Sequence, residues 1–96
     1  MNILVTYDVN TETSAGRRRL RQVANTCKDY GQRVQKSVFE CRLNAAQYEA
    51  FVAKLVKIIK RETDSLRVYR LRGDRSDCVE VYGLDHYVDF DEPLIL

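Results

Sequence analysis

GQRVQKSVFECRL, residues 31–43, is the stretch on which the fold turns. It carries Val34, Val38, Phe39 and Cys41, and reads as extended chain. The apolar alternation falters at Gln35-Lys36-Ser37, which predicts a bulge there. A split βαβ domain needs a hairpin between its two helices. This stretch supplies one only if it breaks into two short strands near Gln35–Ser37. The expectation is instead one long, bent strand over residues 32–42.

Working back toward the N-terminus, Leu20, Val23, Ala24 and Cys27 fall at helical spacing and form a buried stripe. Arg18, Arg21, Gln22 and Asn25 take the opposite side, and Gly31 ends the helix. The polar segment 11–16 starts it, with Thr13 or Ser14 as cap. Before it, residues 3–9 alternate as a strand, with Ile3, Val5, Tyr7 and Val9 on one face and Leu4, Thr6 and Asp8 on the other.

Working forward, Asn44 caps a second helix, with Gln47 at the capping-box position. Tyr48, Phe51, Val52, Leu55 and Ile59 face its core side, and Lys54, Lys57, Lys60 and Arg61 its outer side. Residues 65–71 form a strand, 72–77 a turn around Gly73-Asp74, and 78–82 a further strand. The expected class is α+β: a ferredoxin-like split βαβ sandwich, with a four-stranded antiparallel sheet and two helices on one face. The other face stays half apolar, with Leu4, Val34 or Val38, and Tyr69, and calls for a partner. Residues 1–82 are expected as the core and 83–96 as a tail that docks at home or adds a strand to a dimer partner. Tyr87, Val88, Phe90, Leu94, Ile95 and Leu96 are too apolar for a free tail.

Ninety-six residues make one domain, small enough that a homodimer is a natural expectation. No stretch is long and apolar enough to span a bilayer, and Asp8 interrupts the N-terminal apolar run, so neither a membrane span nor a signal peptide is expected. Three cysteines without CxxC spacing suit free thiols in a reducing cytoplasm, hence a cytoplasmic location. The net charge of +2 hides a segregation. Residues 16–42 hold eight Lys/Arg against Asp29 and Glu40, a net +6, and residues 77–96 hold six Asp/Glu and no Lys or Arg, a net −6. Such segregation steers a polyanion, joins an acidic tail to a basic face of another subunit, or leaves two solvated surfaces of opposite sign.

Asp8 ends the first strand, where α/β sheets tend to place functional groups. It is either an aspartate capping the turn at Asn10-Thr11 or a ligand for Mg²⁺. A two-fold axis near this strand would bring two Asp8 carboxylates together around a shared ion, to activate a water and offset phosphate charge. His86 reads as a surface residue. The candidate phosphate contacts are Arg17, Arg18, Arg19 and Arg21 on the first helix, with Arg33 and Lys36 following. Arg67, Arg70, Arg72 and Arg75 form a second cluster. With no aromatic ladder interleaved, the pattern favours the backbone of a duplex over stacked single-stranded bases.

The strand end Tyr7-Asp8-Val9, the Arg-rich first helix and residues 31–41 together resemble the CRISPR-associated protein 2 family, whose pattern G-x-R-V-Q-x-S-V-F-E the last segment follows closely. The resemblance runs over essentially the whole chain. It implies a ferredoxin-like homodimer whose last strand crosses to the partner subunit. It also implies spacer acquisition in defence against phage and plasmid DNA, beside the larger integrase, CRISPR-associated protein 1. By that pattern Asp8 is the metal and catalytic position. Members are described both as Mg²⁺-dependent endonucleases, on RNA or double-stranded DNA, and as non-catalytic scaffolds. A small ribonuclease of the virulence-associated toxin type shares the fold and is the further alternative.

Overall fold

The computed structural model describes residues 1–88. Its elements run β1 (Asn2–Asp8), α1 (Ser14–Tyr30), β2 (Gly31–Gln35), β3 (Val38–Arg42), α2 (Ala45–Ile58), β4 (Ser65–Leu71) and a short α3 (Arg75–Cys78). The four strands form one sheet in the order β2-β3-β1-β4, with every neighbouring pair antiparallel. This is the ferredoxin-like α+β arrangement expected, reached by a different division of the chain.

The decisive stretch is a hairpin and not one bent strand. β2 turns back into β3 through Lys36 and Ser37, with Gln35 opposite Val38. The register slips between Arg33 and Gln35, so Val34 is the extra residue of a bulge. Among the described residues no non-glycine residue has a positive φ, so the turn is not of the primed types that Asn-Gly or Asp-Gly announce. The backbone N–H of Tyr7 donates to Ser37 O at 3.2 Å and fixes the turn beside β1.

The strand expected over 78–82 is absent. Residues 75–78 form α3 instead, and 79–88 run without helix or strand. The apolar alternation there serves a different purpose: the segment lies across the open face of the sheet. Val79, Val81, Tyr82 and Leu84 line one cavity of about 430 Å³ with Leu4, Val34 and Val38. Gln32 Nε2 donates to Val88 O at 2.6 Å, and Val88 N–H donates to Gln32 Oε1 at 2.8 Å. Arg75 on α3 donates to both oxygens of the buried Glu40, at 2.8 and 3.1 Å, and stacks 3.7 Å from the Tyr87 ring. The expectations for Asp89, Phe90, Asp91, Glu92, Leu94, Ile95 and Leu96 lie outside the described residues.

The core sits between the other sheet face and the two long helices. Ile3, Val5 and Tyr7 from β1, Phe39 and Cys41 from β3, Val23 and Cys27 from α1, and Phe51 and Leu55 from α2 are buried together, with Val9 and Leu43. Leu20, Ala24, Tyr48, Ile59, Leu66 and Val68 pack around them, so the α1 stripe faces as the sequence spacing requires, and the α2 stripe does so through Tyr48, Phe51, Leu55 and Ile59, while Val52 is only half-buried at its margin. The Asn44 capping box forms in both directions, at 2.8 and 2.9 Å. Thr13 caps α1 by accepting from Gly16 N–H at 3.0 Å. Gly31 does end α1, but in extended backbone (φ −162°), not in the left-handed conformation. Its need for glycine comes from close approach, because a Cβ there would overlap Cys41 Sγ and Glu40 O.

Candidate nucleic-acid interface at the end of the sheet

Topology decides which residues meet. The C-terminal end of β1 lies beside the start of β3 (Thr6 opposite Val38) and the start of β4 (Asp8 opposite Ser65). Three connections therefore converge at this end: the β1–α1 loop, the β2–β3 turn and the α2–β4 loop. Antiparallel pairing alone brings the start of α1 and the end of α2 to the same place.

Asp8 stands there, exposed, on the open side of the sheet. Its carboxylate takes no hydrogen bond or ion pair among the described residues, so the turn-capping reading is not what the geometry shows. Its neighbour Tyr7 points the other way, into the core, and its hydroxyl is buried without a hydrogen-bond partner among the described residues. Burial pushes that phenol above its ordinary range. The Arg33 guanidinium pulls it the other way without closing a bond to it.

The candidate cations divide. Arg17 and Arg18 are exposed on the first turns of α1, Arg17 tethered to Thr11 O at 3.1 Å, and Lys36 is exposed in the hairpin turn. Arg21 follows one turn along α1, also exposed. Arg33 is exposed on the edge strand β2 with its guanidinium 5.1 Å from the Phe39 ring centroid. Arg19 is different: it grips Asp64 with Nε at 2.8 Å and Nη2 at 3.2 Å, so its guanidinium is occupied within the fold. The second cluster also differs from its sequence reading. Arg67 lies over Tyr69, Arg70 over Tyr48 and Arg75 over Tyr87, so aromatics absent as a ladder in sequence are paired with arginines in space.

Asp64 is the residue that sequence reasoning missed. Its side chain is fully buried and accepts from Arg19, from the backbone N–H of Asn10 (3.0 Å) and Lys60 (2.8 Å), and from the Thr63 hydroxyl (3.2 Å). It ties the β1–α1 loop, α1 and the α2–β4 loop into one unit beside Asp8. The Arg19 hydrogen bonds, more than any other contact, hold its carboxyl well below the usual carboxylate range. Its signal in sequence was weak: a loop aspartate before a strand, its partner 45 residues away.

As a metal centre, one subunit is thin. No group of three or more His, Cys, Asp or Glu side chains is placed to hold an ion among the described residues. Asp8 fits as a single free carboxylate ligand, which is within what Mg²⁺ uses when waters and phosphate oxygens fill the rest of its shell. His86 is exposed, as expected. Burial pushes the Cys27 and Cys41 thiols up to about 12, so neither is a nucleophile.

The family model described as CRISPR associated protein Cas2 matches residues 1–78. This chain belongs to the Cas2 family. The CRISPR-associated endoribonuclease Cas2 1 of Moorella thermoacetica is 55% identical over 96 residues, all of both chains. The CRISPR-associated endonuclease Cas2 of Halalkalibacterium halodurans is 45% identical over 95 residues, 99% of each chain. The crystal structure of Streptococcus pyogenes Cas2 at pH 6.5 superposes with a TM-score of 0.76 at 54% identity, covering 86% of this chain and all of that one. The resemblance drawn from Tyr7-Asp8-Val9 and residues 31–41 is thereby established, and the toxin-type alternative falls away. Among the described residues no helix is long and apolar enough to cross a membrane.

Proposed function

We propose that two copies of this chain form a homodimer that binds nucleic acid at the cationic end of the sheet and hydrolyses its phosphodiester bonds with Mg²⁺ held by Asp8 of each copy. The observation that carries this reading is the placement of Asp8, a free exposed carboxylate at the end where Arg17, Arg18 and Lys36 gather. The relatives named endoribonuclease and endonuclease support cleavage of RNA or DNA. A second copy is supported by the exposed Val81, Tyr82 and Leu84 beside the half-apolar sheet face. The outer edge of β4 supports it too, since it pairs with no strand among the described residues and is open to an added one.

In this arrangement Asp8 binds the cation, which when bound supplies Lewis-acid activation of the nucleophile and offsets phosphate charge. Arg17, Arg18 and Lys36 grip flanking phosphates and set the strand against the two carboxylates. The test is Mg²⁺-dependent cleavage of labelled duplex DNA and single-stranded RNA. Asp8→Asn is expected to lower cleavage roughly 10²-fold or more with fold and dimer intact. Cleavage that survives the substitution overturns the catalytic role.

The second reading is a non-catalytic scaffold that holds duplex DNA for the integrase, CRISPR-associated protein 1, during spacer acquisition in the cytoplasm. It is favoured by one observation: among the described residues Asp8 belongs to no group of three or more His, Cys, Asp or Glu side chains of the same subunit that could hold an ion. It predicts that acquisition in cells survives Asp8→Asn and is lost on charge reversal at Arg17, Arg18 and Arg33. Acquisition lost with Asp8→Asn alone counts against it.

A further inference from the structure

We propose that the α2–β4 loop is a further wall of this interface, and that Lys60 and Arg61 contact the phosphodiester backbone of bound duplex. The inference rests on the nucleic-acid reading above and adds residues that reading does not contain.

The loop lies beside Asp8 by register, since Ser65, the first residue of β4, is opposite Asp8. It is also held there. One buried carboxylate, Asp64, accepts from the Lys60 and Asn10 backbone amides, so the loop before β4 and the loop after β1 share an anchor. Thr63 N–H and Asp64 N–H both donate to Lys60 O, at 3.0 and 2.8 Å, closing the loop into a tight turn. A loop so tied presents its side chains from a fixed backbone, which lowers the ordering cost of gripping a ligand.

The charge balance points the same way: with Asp64 turned inward, the loop presents Lys60 and Arg61 against one exposed acid, Glu62. Asp64 would be expected to neutralise Lys60 or Arg61, but its carboxylate faces inward and is taken by Arg19. The side chains of Lys60 and Arg61 are exposed and make no ion pair among the described residues. Helix-dipole complementation explains Lys57, which sits in the last turn of α2. It does not explain Lys60 and Arg61, which lie beyond the capping Ile59. Arg19 thus departs from the sequence reading, its guanidinium being taken inside the fold, whereas Lys60 and Arg61 face outward as that reading has them, but from a loop and not from the helix. With Arg17 and Arg18 on one side of Asp8 and Lys36 on another, the loop adds cations on the remaining side, toward β4.

The test is binding of a fluorescent duplex between 50 and 200 mM salt by the full chain. Lys60→Glu/Arg61→Glu is compared with Arg17→Glu/Arg18→Glu and with Lys54→Glu, which lies on α2 over the Tyr30 ring. The loop pair is expected to weaken binding about 10-fold or more and to lower the salt slope by roughly one per lost phosphate contact. Lys54→Glu is expected to stay within about twofold of the parent chain. If the loop pair binds like the parent while Arg17→Glu/Arg18→Glu fails, the inference is wrong and the interface reading stands. If neither pair matters, the interface reading itself is wrong. If Lys54→Glu loses as much as the loop pair, the effect is general charge and the inference is overturned. Thermal unfolding checks that each variant is folded. Should the reversal pair not fold, Lys60→Gln/Arg61→Gln takes its place, with a smaller loss of the same kind expected and unchanged binding overturning the proposal.

Discussion

Asp64 shows how much one residue can organise near a functional position it does not enter. A carboxylate removed from water is tolerable only when paired and saturated with donors, and this one has Arg19, two backbone amides and a hydroxyl. Asp64→Ala leaves those donors without an acceptor and is expected to cost about 3 kcal/mol of stability, read as a fall in thermal midpoint. The pH dependence has a definite sign. The folded-state pKa is depressed, so the unfolded chain binds more protons and stability rises with pH across the window. The contribution is fully present above the ordinary aspartate value, about 4, and is lost as pH falls below it toward the folded value. Urea midpoints between pH 6 and pH 2.5 should therefore fall on the acid side, and Asp64→Asn should flatten that fall. An unchanged acid limb in Asp64→Asn would assign the pH dependence to other carboxylates.

At the scale of elements, what was legible and what was not separate along one line. β1, the stripe of α1 and the capping box of α2 are local patterns, and the sequence displays each in full. The β2–β3 hairpin is not local in this sense. Its turn, Lys36-Ser37, carries no glycine or asparagine because a bulge at Val34 and a bond from Tyr7 to Ser37 shape the reversal. The error over 78–82 has the same origin. Val79 and Val81 alternate like strand residues, but what decides their course is Arg75 reaching Glu40, 35 residues earlier, and holding Tyr87 and Asp85 against the sheet. The place of Asp8, exposed at the end of β1, was legible because strand ends announce themselves. Asp64 and the inward turn of Arg19 were not, since each is defined only by the other. If Arg75 is the latch, Arg75→Ala should loosen residues 79–88 and leave Glu40 buried without its cation. The expected results are cleavage by a limited protease several-fold faster within that segment and a stability loss of about 2–3 kcal/mol. Protection equal to the parent chain would mean the apolar contacts alone hold the segment down.

On the scale of the whole molecule, the fold sorts charge that the sequence had already segregated. Arg17 and Arg18 of α1, Lys36 of the hairpin turn and Lys60 and Arg61 of the α2–β4 loop gather at the Asp8 end. The acidic Asp77 lies on α3, and Glu80 and Asp85 belong to the segment that crosses the sheet's open face. That segment covers the face incompletely, leaving a cavity of about 430 Å³ beneath it and Tyr82 and Leu84 more than four-fifths exposed. Burying an exposed Leu or similar side chain contributes about 1.5–3 kcal/mol, so placing Val81, Tyr82 and Leu84 against a second copy offers several kcal/mol per subunit. Counted over both subunits of a two-fold pair, this is the order needed for micromolar association once the entropy of joining is included. The chain is therefore expected to sediment at twice its 11.2 kDa mass at tens of micromolar. Tyr82→Ser/Leu84→Ser should weaken the pair by about 10²-fold or more, with each subunit still folded. Metal-dependent cleavage should fall in step with the fraction of dimer, because each subunit brings only one Asp8 carboxylate. Cleavage that stays first order in protein through the dissociation range would detach catalysis from the pair and leave Asp8 to act alone.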